Sequence, residues 1–304
     1  MIETGVALDT HPDAVPGTQL IEIVRNIEKL GFESAFLADA MGREPFVTAA
    51  ILLANTSKIR IGTGIANIYG RDPMSAAQTR RTLSELYPDR FLMGLGPSNE
   101  FLVNLRHGKW VPSLQKIPAY LKELKETQLG SAAPAKLAPV YLSAHGPKMQ
   151  DIASSLVDGI MTWTMPPQVI ARSRKHLGPK PAITAQSPVV LSTNAAEARE
   201  VGRNYLALWL GLPWYCKAWV EAGFSEADVS NGGSDALIDS VVAWGDGPAI
   251  AKRVSEFEKA GATRVILEPL KKCPPQTTNP IHGEQKVTAD WDALKAIAAA
   301  VFKK

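Results

Sequence analysis

The sequence predicts an α/β protein, a (β/α)8 TIM barrel, and three observations predict it. Eight short runs dense in Val, Ile, Leu and Phe recur along the 304 residues, with longer stretches of helical spacing between them. The apolar runs do not alternate cleanly with polar residues, which is the pattern of strands buried on both faces of a parallel sheet. The length suits one barrel of about 250 residues with insertions. Alternation alone leaves a doubly wound open sheet as the alternative; the count of eight points to the barrel.

The first strand is expected over Gly5–Asp9, running into Thr10 and His11. Thr18–Leu30 follows as a helix. It carries Leu20, Ile23, Val24, Ile27 and Leu30 on one face and stops at Gly31, a residue suited to the position after a helix end. The second and third strands are Ser34–Asp39 and Ile59–Ile65, and Asp72-Pro73 opens the next helix with proline in its first turn. Phe91–Leu95 and Val140–Ser143 are strands four and five; Pro147 then opens a helix through Met149, Ile152 and Leu156. Gly159–Trp163 and Ile183–Leu191 are strands six and seven.

Asn194 to Glu197 resembles a capping box that starts a helix. Pro248–Ala260 ends at Gly261, Arg264–Glu268 is strand eight, and Trp291–Phe302 is the last helix. The chain is read as one domain, residues 1–304, with a helical insertion between strands seven and eight at about residues 192–246. Trp209, Trp214, Tyr215, Trp219 and Trp244 suggest an element packed beside or over the barrel mouth. Lys271–Glu284, rich in Pro, Lys and polar residues, reads as a mobile loop.

Composition narrows the function. The formal charge is +3 and the basic residues are dispersed, so nucleic acid is not an expected partner. No apolar run approaches a membrane span, and no basic-then-apolar leader is evident. The two cysteines, Cys216 and Cys273, exclude a disulfide framework, and a cytoplasmic location is expected. The five histidines form no compact ligand set, so no metal is expected. There is no G-x-S-x-G elbow and no P-loop.

Ligands of such barrels sit at the C-terminal ends of the strands. That rule selects Asp9 and His11, Asp39, the run Gly62 to Asn67, the run Gly94 to Asn99, Ser143 to Met149, Thr162-Trp163 and Glu268. At Gly146-Pro147 a strand turns into a helix whose first N–H groups are free to meet an anion; the alternative is an ordinary tight turn. The two Gly-x-Gly pairs fail the G-x-G-x-x-G fingerprint, with Asn67 and Asn99 at the third glycine position. They either let a flat ring approach the backbone or relieve crowding at the rim. Asp39 and His145 are candidates for proton transfer, against the alternatives of a helix cap and a structural histidine.

The run Ile59–Gly96 resembles a signature of luciferase-like monooxygenases and their F420-dependent relatives. It holds the glycine-rich third strand, Arg71-x-Pro73, and Asp89-Arg90-Phe91 before Gly94-Leu95-Gly96. Pro139–Trp163 resembles the second signature, with Gly-Pro-Lys-Met opening a helix and Asp158-Gly159 before the next strand. The resemblance implies a barrel that binds coenzyme F420 or FMN at its C-terminal face. It implies an F420-dependent oxidoreductase moving a hydride to or from a small organic substrate. The alternatives are an FMN-dependent monooxygenase and a non-catalytic cofactor-binding protein. It also implies a homodimer.

Residue by residue, Asp39 matches an acid near the ring or substrate, and Gly64-Ile65 a bulge that often holds a non-prolyl cis peptide. Ala144, His145, Gly146, Pro147, Lys148 and Met149 match a phosphate-binding turn. With the strand-end residues Asn67, Gly96, Ser98 and Asn99 they make up the expected cofactor set. Asn99 and Ala40 stand where sugar-phosphate dehydrogenases of the family carry an acid and a histidine, so that chemistry is not implied.

Overall fold

The computed structural model describes residues 2–8, 15–274, 278–279, 283–284 and 286–302. The first half of the chain runs β1 (Glu3–Ala7), α1 (Gly17–Lys29), β2 (Ser34–Leu37), α2 (Pro45–Ala54), β3 (Arg60–Thr63), β4 (Ala66–Asn67), α3 (Pro73–Leu86), β5 (Phe91–Gly96), α4 (Glu100–Leu105) and α5 (Ser113–Glu126). It continues β6 (Val140–Ser143), α6 (Pro147–Leu156), β7 (Gly159–Thr162), α7 (Pro167–Leu177), β8 (Ala182–Val190), α8 (Ala195–Leu210), α9 (Pro213–Glu221), α10 (Asp235–Val241), β9 (Ala243–Trp244) and α11 (Gly247–Lys259). It closes with β10 (Arg264–Lys272), β11 (Thr278–Asn279), β12 (Gly283–Glu284), β13 (Val287–Ala289) and α12 (Ala293–Val301).

The strands form the ring β1-β2-β3-β5-β6-β7-β8-β10, with β4 continuing β3. Every pairing round the ring is parallel, and β10 closes it by pairing β8 on one side and β1 on the other. This is the predicted (β/α)8 barrel, with α8, α9 and α10 between its seventh and eighth strands. The helix signals act as read, except that the expected capping box at Asn194 closes only halfway: Glu197 accepts from the Ser192 hydroxyl, which in turn accepts the Asn194 N–H. Asp72 accepts the Ser75 N–H at 2.8 Å to start α3, Asn194 accepts those of Ala196 and Glu197 to start α8, and Gly31 leaves α1 with φ +94°.

Two boundaries differ from expectation. β2 ends at Leu37, so Asp39 lies in the loop beyond it. Asp9 and His11 lie outside the described residues. The segment read as a mobile loop from Lys271 is partly strand: Lys271 and Lys272 extend β10 and pair antiparallel with Thr288 and Val287, and β11 pairs with β12. Residues 275–277, 280–282 and 285 lie outside the described residues.

Ala7, Phe36, Leu92, Tyr141, Met161, Trp163 and Ile266 form the apolar filling of the barrel. The outward-facing residues of the strands pack under the helices in a second, larger layer. At the closed end, buried Arg264 pairs with Glu3 and lies 3.3 Å from the Thr184 hydroxyl, with its guanidinium by the faces of Phe36 and Tyr141. Among the described residues no helix is long and apolar enough to cross a membrane.

Candidate active site at the barrel mouth

The third strand breaks as it reaches the mouth. Ile61 and Gly62 pair with Phe91 and Leu92, and pairing resumes with Ala66 and Asn67 against Leu95 and Gly96. Residues 63–65 therefore face only 93 and 94, a one-residue bulge. The Gly64–Ile65 peptide bond within it is cis, as the resemblance implied. The Thr63 hydroxyl replaces the interrupted ladder: it donates to Gly94 O at 2.7 Å and accepts the Gly94 N–H at 3.0 Å.

The glycines now separate into two kinds. A Cβ on Gly62 would fall 2.3 Å from the Phe36 ring, and one on Gly94 would fall 1.9 Å from Thr63 O. Both are required by packing alone. Gly64 and Gly96 lie under side chains at the mouth, Gly64 beneath the Trp163 indole and Gly96 beneath Ile65.

Asp39, with 5% of its side chain exposed, is a hub. Its Oδ2 accepts from Arg71 Nη1 at 3.0 Å and the Asn67 backbone N–H at 2.9 Å, and its Oδ1 accepts from Arg106 Nη2 at 2.9 Å. Arg71 also reaches Glu44 at 2.7 Å and Asn67 O at 2.8 Å, and its guanidinium lies 4.6 Å from the Phe46 ring centre. A carboxylate held on both oxygens by guanidinium groups is a good anchor. Arg71 and Arg106 were not assigned roles from sequence, because each reads as a surface base until Asp39 is seen between them.

The turn after β6 is open. Gly146 precedes α6 with φ −100°, no side chain caps the helix, and nothing lies within 4 Å of a Cβ built on Gly146. Pro147 and Lys148 are exposed, and Met149 is half-buried. Buried Gln150 fixes the turn from below, donating to Ser173 Oγ at 2.8 Å and to His145 O at 3.3 Å. Ala144 is buried and its N–H bonds Met161 O, so it contributes backbone rather than side chain.

His145 turns its ring inward. Nε2 accepts the Trp163 backbone N–H at 3.3 Å, and the ring meets Tyr215 edge-on at 4.8 Å. The ring's own proton accordingly sits on Nδ1. Burial lowers its pKa from 6.5 to about 4, so the imidazole is neutral near pH 7. Ser98 has φ +61°, and the Asn99 side chain caps α4 by accepting the Leu102 N–H at 2.9 Å. Of the expected cofactor set, the β3–β4 bulge with Asn67 and the β6–α6 turn lie at strand ends on either side of β5, while Asn99 spends its side-chain oxygen on a helix start.

One constellation was not assembled from sequence. Glu268, on β10, is buried; its Oε2 accepts from Gln186 Nε2 at 2.5 Å and from the Tyr205 hydroxyl at 2.7 Å. Gln186 Oε1 accepts the Thr164 N–H at 2.7 Å, and Trp219 Nε1 donates to Thr164 O at 3.2 Å. The network joins two barrel strands to α8 and α9. Tyr205, Trp209 and Tyr215 continue it as an aromatic wall beside His145. Glu268 was visible as a strand-end acid, but its partners are 82 and 63 residues away in sequence.

A flavin-type cofactor carries a flat ring and an anionic tail, and the mouth has features that fit both. Asn67 Nδ2 and Trp163 Nε1 are buried donors without a hydrogen-bond partner in the structure, and the α6 start at Gly146 is clear of side chains.

A parallel eight-stranded barrel with this mouth defines a TIM-barrel protein. The family model for luciferase-like monooxygenase matches residues 1–264, and the chain belongs to that family. It is 24% identical to 5,10-methylenetetrahydromethanopterin reductase of Methanolobus tindarius, over 83% of this chain and 90% of that one. Its fold is similar to that of an F420-dependent secondary alcohol dehydrogenase, with TM-score 0.72, 17% identity and 99% of each chain covered. It is also similar to the FMN complex of a type II Baeyer-Villiger monooxygenase from Pseudomonas putida, with TM-score 0.67, 14% identity, and 99% of this chain and 98% of that one covered. The homologous enzymes are thus oxidoreductases, and both cofactor types occur on this fold.

Proposed function

We propose that the protein is an F420-dependent oxidoreductase that exchanges a hydride between the deazaflavin and a small organic substrate. The observation that carries this reading is the bare, uncapped α6 start at Gly146, at the same barrel mouth as the β3–β4 bulge, in a chain that is similar to a putative coenzyme F420-dependent oxidoreductase of Mycobacterium tuberculosis. The cofactor, when bound, supplies the two-electron hydride chemistry.

The chain's residues do the rest. Gly146 with the N–H groups of Lys148 and Met149 would take the phosphate, and Ile65, Gly64 and Asn67 would meet the ring. Asp39 would hold Arg71 and Arg106 in place. The aromatic wall of Trp209 and Tyr215 would shield the reacting carbon from water. The second reading, an FMN-dependent monooxygenase, is supported by the FMN-bound structural relative.

Titrating F420 and FMN separately while following tryptophan fluorescence tests the choice. The expected result is quenching by F420. Gly146→Ala is expected to leave the fold intact and to weaken F420 binding at least about tenfold, because the new methyl fills the approach to the helix start. Micromolar FMN binding with no F420 response would overturn the cofactor assignment.

We also propose a homodimer. Val47 and Ile51 on α2 are large apolar side chains exposed at 60% and 47%. Sedimentation equilibrium is expected to give twice the chain mass; a monomer at micromolar concentration would refute it. A cytoplasmic location belongs to the same proposal and is supported by the two unpaired cysteines.

A further inference from the structure

Asp39, His145 and Glu268 are three of the titratable side chains at the mouth, and each has partners. Asp39 has both oxygens on arginines. His145 has given its Nε2 lone pair to Trp163 and stays neutral near pH 7. The third is Glu268, which is 1% exposed and reached through the Tyr205 hydroxyl.

The geometry of that pair is that of a proton path. Along β10, Ile266 belongs to the barrel filling, so Glu268, two residues on, faces the interior one layer nearer the mouth. Tyr205 comes from the opposite direction, off α8, and is half-buried against Trp209, which packs on the barrel filling. The Tyr205 hydroxyl gives its hydrogen to Glu268 at 2.7 Å. Its oxygen receives Gln186 Nε2 at 3.2 Å and lies 3.4 Å from Thr164 Oγ1. The long Thr164 contact is the one a substrate hydroxyl or amine would replace. Gln186, donating to both Glu268 and Tyr205, keeps the two oxygens together.

We propose that Tyr205 is the group that exchanges a proton with the substrate's reacting heteroatom, and that Glu268 behind it takes up or returns that proton. The proposal rests on the hydride-transfer reading above and names a substrate class for it: a compound whose reacting carbon bears an O–H or N–H in its reduced form. In the oxidising direction the heteroatom–hydrogen bond breaks, and its proton passes to the Tyr205 oxygen as the Tyr205 proton passes to the Glu268 carboxylate. The neighbouring C–H bond breaks with its electron pair, which leaves as hydride to the deazaflavin. The pair freed on the heteroatom forms the new C=O or C=N π bond. The substrate loses two hydrogens and two electrons; both electrons go with the hydride, and the proton stays on Glu268. Reduction is the same path reversed.

Among the described hydrogen bonds of the pair, those of Gln186 on β8 and Thr164 in the segment after β7 involve neutral groups, and Tyr205 and Glu268 each have further contacts beyond these. His145 and Tyr215 stand further along the wall, and Asp39, Arg71 and Arg106 stand at the β2–β4 rim. The test uses the full chain with Tyr205→Phe and Glu268→Gln. A carbon-13 NMR titration of the glutamate carboxyls identifies Glu268 as the signal that the Gln variant lacks. Should Glu268→Gln fail to fold, Glu268→Asp serves as the marker.

Tyr205→Phe removes a hydrogen bond donated to Glu268 Oε2, an interaction that favours the ionised form, so the Glu268 midpoint is expected to rise by about one pH unit. With F420 and a panel of secondary alcohols and cyclic secondary amines, Tyr205→Phe is expected to lower kcat by about a hundredfold or more and to change the pH profile. F420 binding, read by tryptophan quenching, is expected to stay within about twofold of the wild-type protein. An unchanged Glu268 midpoint in Tyr205→Phe overturns the proposal, and so does wild-type turnover with an unchanged pH profile. If neither F420 nor FMN quenches the fluorescence, the hydride reading fails separately, while the Glu268 titration still decides the coupling on cofactor-free protein.

Discussion

Gly94→Val is expected to yield no soluble folded protein, and Gly94→Ala to lose about 3 kcal/mol of stability or more. A Cβ at this position would stand 1.9 Å from Thr63 O and 2.7 Å from Met161 Sδ. The first of these is backbone, so no side-chain rotation relieves it. The only relief is to part β3 from β5, and that also breaks the two bonds between Thr63 Oγ1 and Gly94 that bridge the bulge. Urea unfolding followed by circular dichroism measures the loss. Gly146→Ala is the matched control, with open space around the new methyl and a change expected within about 0.5 kcal/mol. Equal midpoints for the two alanine variants would show that the bulge tolerates a side chain.

Asp39→Ala comes next in size, at about 3 kcal/mol, because it leaves the buried Arg71 side chain without one of its two carboxylates and exposed Arg106 without its counter-charge. Arg71 keeps Glu44 and Asn67 O, so it is not wholly abandoned. Arg106 keeps only Ala40 O at 2.7 Å among its described hydrogen bonds to that rim. The residues after α4 should therefore loosen more than those after β3. Hydrogen exchange over residues 98–112 reads this directly, and protection there equal to wild type would reject the role of Asp39 as an anchor. Asp39→Asn, which keeps one acceptor oxygen, should fall between the two.

The barrel was legible because its strands are short, apolar and separated by helices with clear starts. Asp72-Pro73 and Asn194 announce α3 and α8, and both act as caps. Other helices give no such sign. α2 is apolar along nearly its whole length, so no stripe marks it as helical. α5 carries Pro118 in its interior and lacks a side-chain cap, two features that argue against a helix when read alone. At the mouth, the Gly64-Ile65 bulge and the Gly146 turn were legible because each is a local run of sequence. The Glu268–Gln186–Tyr205 network was not. Its members lie on three elements, and spacing along the chain does not encode which residues a closed ring brings face to face. The glycine pairs show the same limit: one sequence pattern covers Gly94, needed to admit backbone, and Gly96, lying under the Ile65 side chain.

The join between β1 and β10 has a consequence for how the protein is made. Glu3 pairs with Arg264, so the ring stays open until residue 264 has left the ribosome. At about 5–20 residues per second, that is on the order of tens of seconds during which the first strand has a free edge. Nascent chains halted before residue 264 should thus require chaperone protection that chains released a few residues beyond β10 do not.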